Sequence, residues 1–246
     1  MTTHNTTENN TAQNNTNNVD PHEIEKFSAL ASRWWDPQSE FKPLHDLNPV
    51  RVAYIDSQVD LTGKTVLDLG CGGGILTESL AKRAKTVKGI DMAKASIDVA
   101  TLHALSEQVE NIDYEVIRAE DLAEREPQKY DVICAMEMLE HVPQPQSILN
   151  AIRTLLKPGG TVFLSTINRN PKAYLLAVIG AEYVLKLLPK GTHDYKKFIK
   201  PSELSSMARA AKLQCIDTKG MNYHPLFKSF DLSDDVSVNY LMTCKG

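Results

Sequence analysis

Residues 66–74 read Val-Leu-Asp-Leu-Gly-Cys-Gly-Gly-Gly, an apolar run that ends in four glycines within five positions. A helix or strand interior does not favour such a density, since each glycine there costs about 0.5–1 kcal/mol relative to alanine. The glycines therefore mark a sharp turn between a strand-like run and the helical pattern that begins near residue 74. A strand that enters a helix through such a turn is the opening unit of a parallel sheet covered on both faces. The same turn lets a ligand approach the backbone closely, at the carboxyl end of the strand where open α/β sheets bind. Asp91 ends the next apolar run, 21 positions after Gly70, where a carboxylate can hold ribose hydroxyls.

The rest of the chain repeats this alternation. Thr65–Leu69, Val87–Asp91, Ile112–Ile117, Tyr130–Ala135 and Thr161–Thr166 are candidate strands, with helical patterns at 74–84, 94–108 and 145–156. The last presents Ile148, Leu149, Ile152, Leu155 and Leu156 on one face and stops at Pro158-Gly159-Gly160. A further helix at Ser202–Lys212 turns Leu204, Met207, Ala208 and Ala211 inward, and two strands near Leu213–Thr218 and Val238–Cys244 close one edge. Ahead of the alternation, Asp20-Pro21-His22-Glu23 reads as an N-cap, a proline at the first helical position and a glutamate at the third. Ile24, Phe27, Ala31 and Trp34 follow at helical spacing, Asp36-Pro37 ends that helix, and Pro43 and Pro49 keep the next stretch irregular. The expected fold class is α/β: a doubly wound, mostly parallel, Rossmann-like sheet of seven strands with an N-terminal helical cap and an apolar helical insertion. Residues 1–19 are expected to be a disordered tail, since the first 18 hold seven Asn and six Thr with almost nothing to bury. Residues 20–246 then form one domain, with the insertion at about 170–200.

Composition excludes several classes. Twenty-seven basic against thirty-one acidic side chains give a net charge of -4, which argues against a nucleic-acid partner bound through phosphates. Cys71, Cys134, Cys215 and Cys244 form no C-x-x-C pair and suggest neither a zinc site nor a disulfide framework, so a reduced, cytoplasmic setting fits. No Lys or Arg precedes Lys26 and no apolar stretch accompanies it, so the N-terminus does not read as a secretory signal. The N-x-T matches at Asn5, Asn9 and Asn14 are accordingly set aside as accidents of composition. No apolar run reaches the roughly 18–20 residues that span a bilayer. Ala173–Leu188 is almost wholly apolar apart from Glu182 and Lys186, and a basic stretch from Lys190 to Lys200 follows it. It reads either as a buried core helix or as a helix that lies on a bilayer surface or lines the entrance for an apolar substrate.

The glycine turn, its strand context and the spaced Asp91 together point to a cofactor containing adenosine; the plain alternative is a tight turn beside a structural aspartate. A dinucleotide fingerprint starting at Gly70 needs glycine where Ile75 stands, which disfavours a nicotinamide oxidoreductase. Gly63-Lys64-Thr65 mimics the end of a phosphate loop, but Gln58 occupies its first glycine position. The fourth strand runs into Met136-Glu137-Met138-Leu139-Glu140-His141-Val142-Pro143. In a helix, Glu137, Glu140 and His141 would share a face at i, i+3 and i+4. Such a trio could hold a divalent cation, supply a general base, or be no more than a solvated helix start.

The D-x-G-x-G-x-G run from Asp68 to Gly74 resembles motif I of class I S-adenosylmethionine-dependent methyltransferases. Further segments make the chain similar to the ubiquinone-biosynthesis O-methyltransferase family: FSALASRWWDP (27–37), FKPLHDLNPVR (41–51), VLDLGCGGGIL (66–76), MEMLEHVP (136–143), STINRN (165–170) and GTHDYKKFIKP (191–201). The resemblance implies a class I methyltransferase fold and O-methylation of polyprenylated phenols, quinols and catechols at both O-methylation steps of the pathway. It places S-adenosylmethionine contacts on Arg51, Gly70, Asp91 and Met136, with Gly72 in the same turn. Divalent-metal ligands fall on Glu137, Glu140 and His141, which also become the catalytic residues. Arg118 stands where many relatives carry an acid for the adenine amine, which leaves backbone groups or Glu120 for that task. Peripheral membrane lipid contact at the inner face falls on residues 173–200, and Trp34-Trp35 falls in a lid region. A complex with other ubiquinone-pathway enzymes is left open.

A phenol with a pKa near 10 is ionised on the order of 0.1% at pH 7. Making up three units needs about 4 kcal/mol of differential stabilisation of phenolate. A divalent cation, with Mg²⁺ favoured by the oxygen ligands, supplies that more readily than a carboxylate of pKa near 4. Two other readings remain beside this one: a methyltransferase for another hydrophobic phenol, and a peripheral lipid-binding module with a vestigial cofactor fold. Intact Gly70, Gly72 and Asp91 argue against the second.

Overall fold

The computed structural model describes residues 18–39, 41–175, 194–224 and 229–246. Among them, eight strands pair into one sheet: β1 (Thr65–Leu69), β2 (Thr86–Asp91), β3 (Ile112–Val116), β4 (Tyr130–Met136), β5 (Leu156–Ile167), β6 (Gln214–His224), β7 (Ser229–Ser233) and β8 (Asn239–Lys245). Their order is β3-β2-β1-β4-β5-β8-β6-β7. The pairs from β3 to β5 are parallel, while β5–β8, β8–β6 and β6–β7 are antiparallel. The pattern predicts seven strands, and β7 is the addition. Every residue of β7 is exposed or half-exposed, so it carries no buried alternation to signal a strand. The last two expected strands also do not close the edge: β8 inserts between β5 and β6, and β7 holds the edge.

The chain leaves β1 toward β2 and β3, then returns to β4 on the other side of β1. Connections diverge at that reversal and open a crevice above the strands' carboxyl ends. Alternate β-strand residues pack against two layers. Leu67, Leu69, Ile133 and Leu164 join one cluster with Ile148, Leu149 and Ile152, while Val66, Val87, Val132 and Phe163 join another with Tyr54 and Ile55.

Helix α1 (Pro21–Leu30) starts as its cap predicts, with Asp20 Oδ1 accepting the His22 N–H at 3.1 Å. It gives way to a 3₁₀ turn at Ala31–Arg33. Helix α2 (Lys42–Gln58) corrects the expectation of irregular chain around its prolines. Pro43 lies in the first turn, where an N–H has no intrahelical acceptor. Pro49 removes one interior bond, and burial of Leu47, Arg51, Val52, Tyr54 and Ile55 carries the helix through it. Helices α3 (Ile75–Ala81), α4 (Lys94–Ser106), α6 (Pro145–Leu155) and α8 (Pro201–Ala210) lie where helical spacing places them; α5 (Ala119–Arg125) has no counterpart in that pattern. A single turn, α7 (Pro171–Ala173), opens the apolar insertion. Residues 1–17 of the expected tail, with its three N-x-T matches, and 176–193 of the insertion lie outside the described residues. No helix among the described residues is long and apolar enough to cross a membrane.

Candidate active site

β1 delivers the chain into Gly70 and Gly72, which adopt φ of +74° and +52°. Left-handed backbone costs an L-residue roughly 1–2 kcal/mol, so both positions call for glycine. The turn is tied to the end of β2: the Gly70 and Cys71 N–H groups donate to Ile90 O at 2.8 and 3.0 Å. Asp91 continues the tie. Its Oδ2 accepts the Gly72 N–H at 2.9 Å and its Oδ1 the Ala93 N–H at 2.8 Å. Burial raises the Asp91 pKa in spite of these bonds. Gly70, Gly72, Asp91 and Met136 all line one cleft of about 1000 Å³, together with Arg51, Glu137, Glu140 and His141.

Arg51 reaches this cleft from α2. It is buried, its Nη2 lies 3.4 Å from Glu137 Oε1, and its Nε and Nη2 have no hydrogen-bond partner. Asp68 is a site residue that the sequence pattern did not single out, although it opens motif I. It is buried in the cleft wall, accepts from Thr77 Oγ1 at 2.6 Å, and burial pushes its pKa up to about 6.

After β4 the chain does not continue as a helix. Glu137 takes a left-handed φ of +52°, and only Leu139–His141 form a 3₁₀ turn. The helical face expected to align Glu137, Glu140 and His141 is therefore absent. β5 explains the backbone. The Glu137 N–H donates to both Ser165 O and Ser165 Oγ at 3.1 Å, and Ser165 Oγ donates to Glu137 Oε1 at 2.9 Å. Glu140 is buried and accepts from Thr166 Oγ1 at 2.8 Å. Burial first, and the neighbouring Glu137 charge second, push its carboxyl well above the usual range. His141 Nδ1 turns the other way, to Glu23 Oε2 of α1 at 3.0 Å. Ser165, Thr166 and Glu23 escaped the spacing argument because each meets the trio across the fold.

Glu120 accepts from Asn18 Nδ2 at 2.9 Å and Ser147 Oγ at 2.8 Å, while Arg118 pairs with Asp121. Over the glycine turn lies the cap: Trp34 donates to Ser96 Oγ at 3.2 Å, and Trp35 donates to Gly73 O at 2.9 Å. The opposite wall, from β6 and β7, offers Met221, Tyr223 and Phe230.

A methyltransferase-domain family model matches residues 50–218. The ubiquinone biosynthesis O-methyltransferase of Paraburkholderia xenovorans (strain LB400) is 62% identical over 228 residues, covering 93% of this chain and 98% of that protein. The protein of the same name from Burkholderia thailandensis is 60% identical over the same shares. The chain belongs to the ubiquinone biosynthesis O-methyltransferases. Solved structures agree on the fold. Magnesium protoporphyrin IX methyltransferase from Synechocystis PCC 6803, solved with bound SAH, has a TM-score of 0.64 at 16% identity, over 90% of this chain and 94% of that one. A SAM-dependent methyltransferase from Aquifex aeolicus has a TM-score of 0.59 at 13% identity, over 92% and 98%.

The cleft of this methyltransferase fits S-adenosylmethionine, the cofactor that its glycine motif implies. Arg51 lines the cleft with Nε and Nη2 unpaired apart from the 3.4 Å approach of Nη2 to Glu137, and so suits an amino-acid carboxylate. The metal expectation fares differently. Glu137, Glu140 and His141 are each committed to a separate protein partner, and no group of three His, Cys, Asp or Glu among the described residues is arranged to hold an ion.

Proposed function

We propose that this methyltransferase methylates phenol and catechol hydroxyls of polyprenylated ubiquinone precursors, at both O-methylation steps. One observation carries the reading: the Glu140–His141 turn opens on the same cleft as Arg51, the glycine turn and Asp91, so a phenol beside the turn would also face the cofactor residues. The name shared by the relatives at about 60% identity supports the substrate class.

S-adenosylmethionine supplies an activated methyl group when bound. Arg51 and Gly70 would hold its amino-acid end and Asp91 its ribose, with Gly72 supporting Asp91 and Met136 packing beside it. The remaining work is to align the acceptor and remove its proton. His141 is held through Nδ1 by the Glu23 carboxylate, which assigns the ring proton to Nδ1 and leaves Nε2 to accept. Glu140, raised by burial and by Glu137, stands closer to a phenol in pKa than an ordinary carboxylate, so proton transfer to it costs less. The apolar wall of Met221, Tyr223 and Phe230 suits a prenyl chain. Glu137, Glu140 and His141 as folded do not converge on a divalent cation. Peripheral lipid contact, on the cytoplasmic face, is assigned to residues 173–200, supported by their apolar-then-basic composition and by exposed Tyr174 and Leu175 at their start.

The test uses labelled S-adenosylmethionine and a short-tailed demethyl quinol. Label should pass to the ring hydroxyl, and Glu140→Gln with His141→Asn should lower turnover by at least about a hundredfold while leaving cofactor affinity nearly intact. Loss of cofactor binding in that variant, or no transfer by the wild type, would refute the reading. Chelator and added-Mg²⁺ arms report separately whether a cation draws the trio together.

A further inference from the structure

Cys215 on β6 and Cys244 on β8 are directly opposed across an antiparallel ladder, and their Sγ atoms lie 3.1 Å apart. Both thiols are free. Opposed residues in such a ladder have Cα atoms about 4.5–5.5 Å apart, inside the roughly 4.4–6.8 Å span of natural disulfides. Closing to a bond of about 2.05 Å then requires about 1 Å of movement. The ladder slips between Cys215 and Asp217, which leaves Ile216 as an extra residue and gives β6 local play beside the pair. Met242 Sδ lies 3.3 Å from Cys215 Sγ, so the sulfurs share one face.

We propose that Cys215 and Cys244 form a reversible oxidation site that closes to an intrachain disulfide under a peroxide. Cys215 is the attacking sulfur. It is half-buried whereas Cys244 is fully buried, so a small oxidant reaches Cys215 first. Cys244 donates its S–H to Cys215 Sγ, and Ser205 and Arg209 of α8 act in the same direction; these hold the Cys215 thiol below the usual range. A larger thiolate fraction makes it the better nucleophile.

The Cys215 thiolate attacks one peroxide oxygen, the O–O bond breaks, and hydroxide leaves. Cys244 then attacks the sulfenic sulfur: the S–S bond forms, the S–O bond breaks, and the sulfenic OH leaves with the Cys244 proton as water. The hydroxide of the first step takes up the proton given up by the Cys215 thiol as the second water. Two thiols are oxidised by two electrons in all, and one hydrogen peroxide is reduced to two waters. β6 runs on from Cys215 to Met221 and Tyr223 in the cleft wall, so the bond would remove play from a strand that borders the site.

Cys71 and Cys134 are internal controls, being buried and pushed far above the usual thiol range by that burial. The test treats the full chain with hydrogen peroxide and counts thiols in denaturant. Four thiols should fall to two, with a linked Cys215–Cys244 peptide and recovery of four after dithiothreitol. Loss of this pair should run at least about tenfold faster than loss of Cys71 or Cys134. Cys215→Ser should keep its three thiols at the same dose. Cys244→Ala, or Cys244→Ser if the first fails to fold, should instead leave a dimedone-reactive sulfenic acid at Cys215. A bridge to Cys71 or Cys134, oxidation of wild-type Cys215 without a bridge, or equal rates for all four thiols would overturn the proposal.

Discussion

Trp34 lies so close over Gly73 that a Cβ there would stand 2.3 Å from the indole Cγ, and one on Gly72 would stand 2.5 Å from the far edge of the same ring. The ring also stacks on Phe41, with centroids 3.8 Å apart. The glycine turn therefore serves two surfaces. Its backbone faces the cofactor cleft, and its missing side chains make the seat for the cap.

Replacing Gly73 by alanine should destabilise the fold by about 1–3 kcal/mol through overpacking, since its backbone is not left-handed and the indole is the obstacle. In a Trp34→Ala background the same change should cost much less, because the obstacle is gone. A urea double-mutant cycle reads the difference as coupling energy. Equal costs in both backgrounds would refute the seat.

Arg51→Met should weaken S-adenosylmethionine binding by about 10- to 100-fold, the loss expected for hydrogen bonds to a charged group. The thermal midpoint without cofactor should fall only modestly: Glu137 and Asp68 lose a neighbouring positive charge, while two buried donors lacking hydrogen-bond partners go with the guanidinium. Calorimetric titration beside thermal melting checks both. An unchanged affinity would remove Arg51 from the site.

The parts of this fold legible in the sequence are those encoded locally. Gly70 to Gly74 and Asp91 lie within short runs whose spacing dictates their structure, and the α6 face repeats at 3.6 residues. What escaped depends on partners remote in the chain. Pro49 breaks a helix by its own chemistry, yet tertiary burial of its neighbours keeps α2 continuous. Glu137, Glu140 and His141 stood out as chemistry, but their geometry is set by Ser165, Thr166 and Glu23, and no spacing rule reaches across 118 residues from Glu23 to His141. Cys215 and Cys244 look unrelated until the β6–β8 register opposes them.

Asp68→Asn should raise stability at neutral pH, on the order of 3 kcal/mol at most. Burial holds the folded-state pKa at about 6 against an ordinary 3.8, so the folded state binds the proton more tightly. Wild-type stability therefore falls as pH rises from about 4 to 6, and the charged carboxylate carries the full penalty above that window. The asparagine keeps an acceptor for Thr77 Oγ1 and carries no charge. Denaturation curves at pH 4 and pH 7 should show the variants alike at the lower value and apart at the higher. A constant difference would show that Asp68 does not titrate in this window.

Docking of the cap should loosen in acid, and the chain carries its own reporter. Both of its tryptophans, Trp34 and Trp35, sit in the cap. Glu23 ties α1 to the site by accepting from His141 Nδ1 at 3.0 Å and Lys197 Nζ at 3.3 Å. Burial acts to raise its pKa, but the His141 bond and the His141, Lys26 and Lys197 charges outweigh that and hold it at about 2. A depressed folded-state pKa stabilises the docked cap above the ordinary carboxyl value of 4.5 and loses that contribution as pH falls toward 2. Tryptophan emission should therefore shift to the red between pH 4.5 and 2. In Glu23→Gln the shift over that window should be shallower, with Asp20 to Lys197 left as the remaining acid-sensitive tie. At pH 7 the variant's emission should already lie to the red of wild type, because the charged contact is gone. Superimposable wild-type and Glu23→Gln titrations would mean that the cap is held by its ring contacts alone and that the carboxylate at position 23 does not govern it.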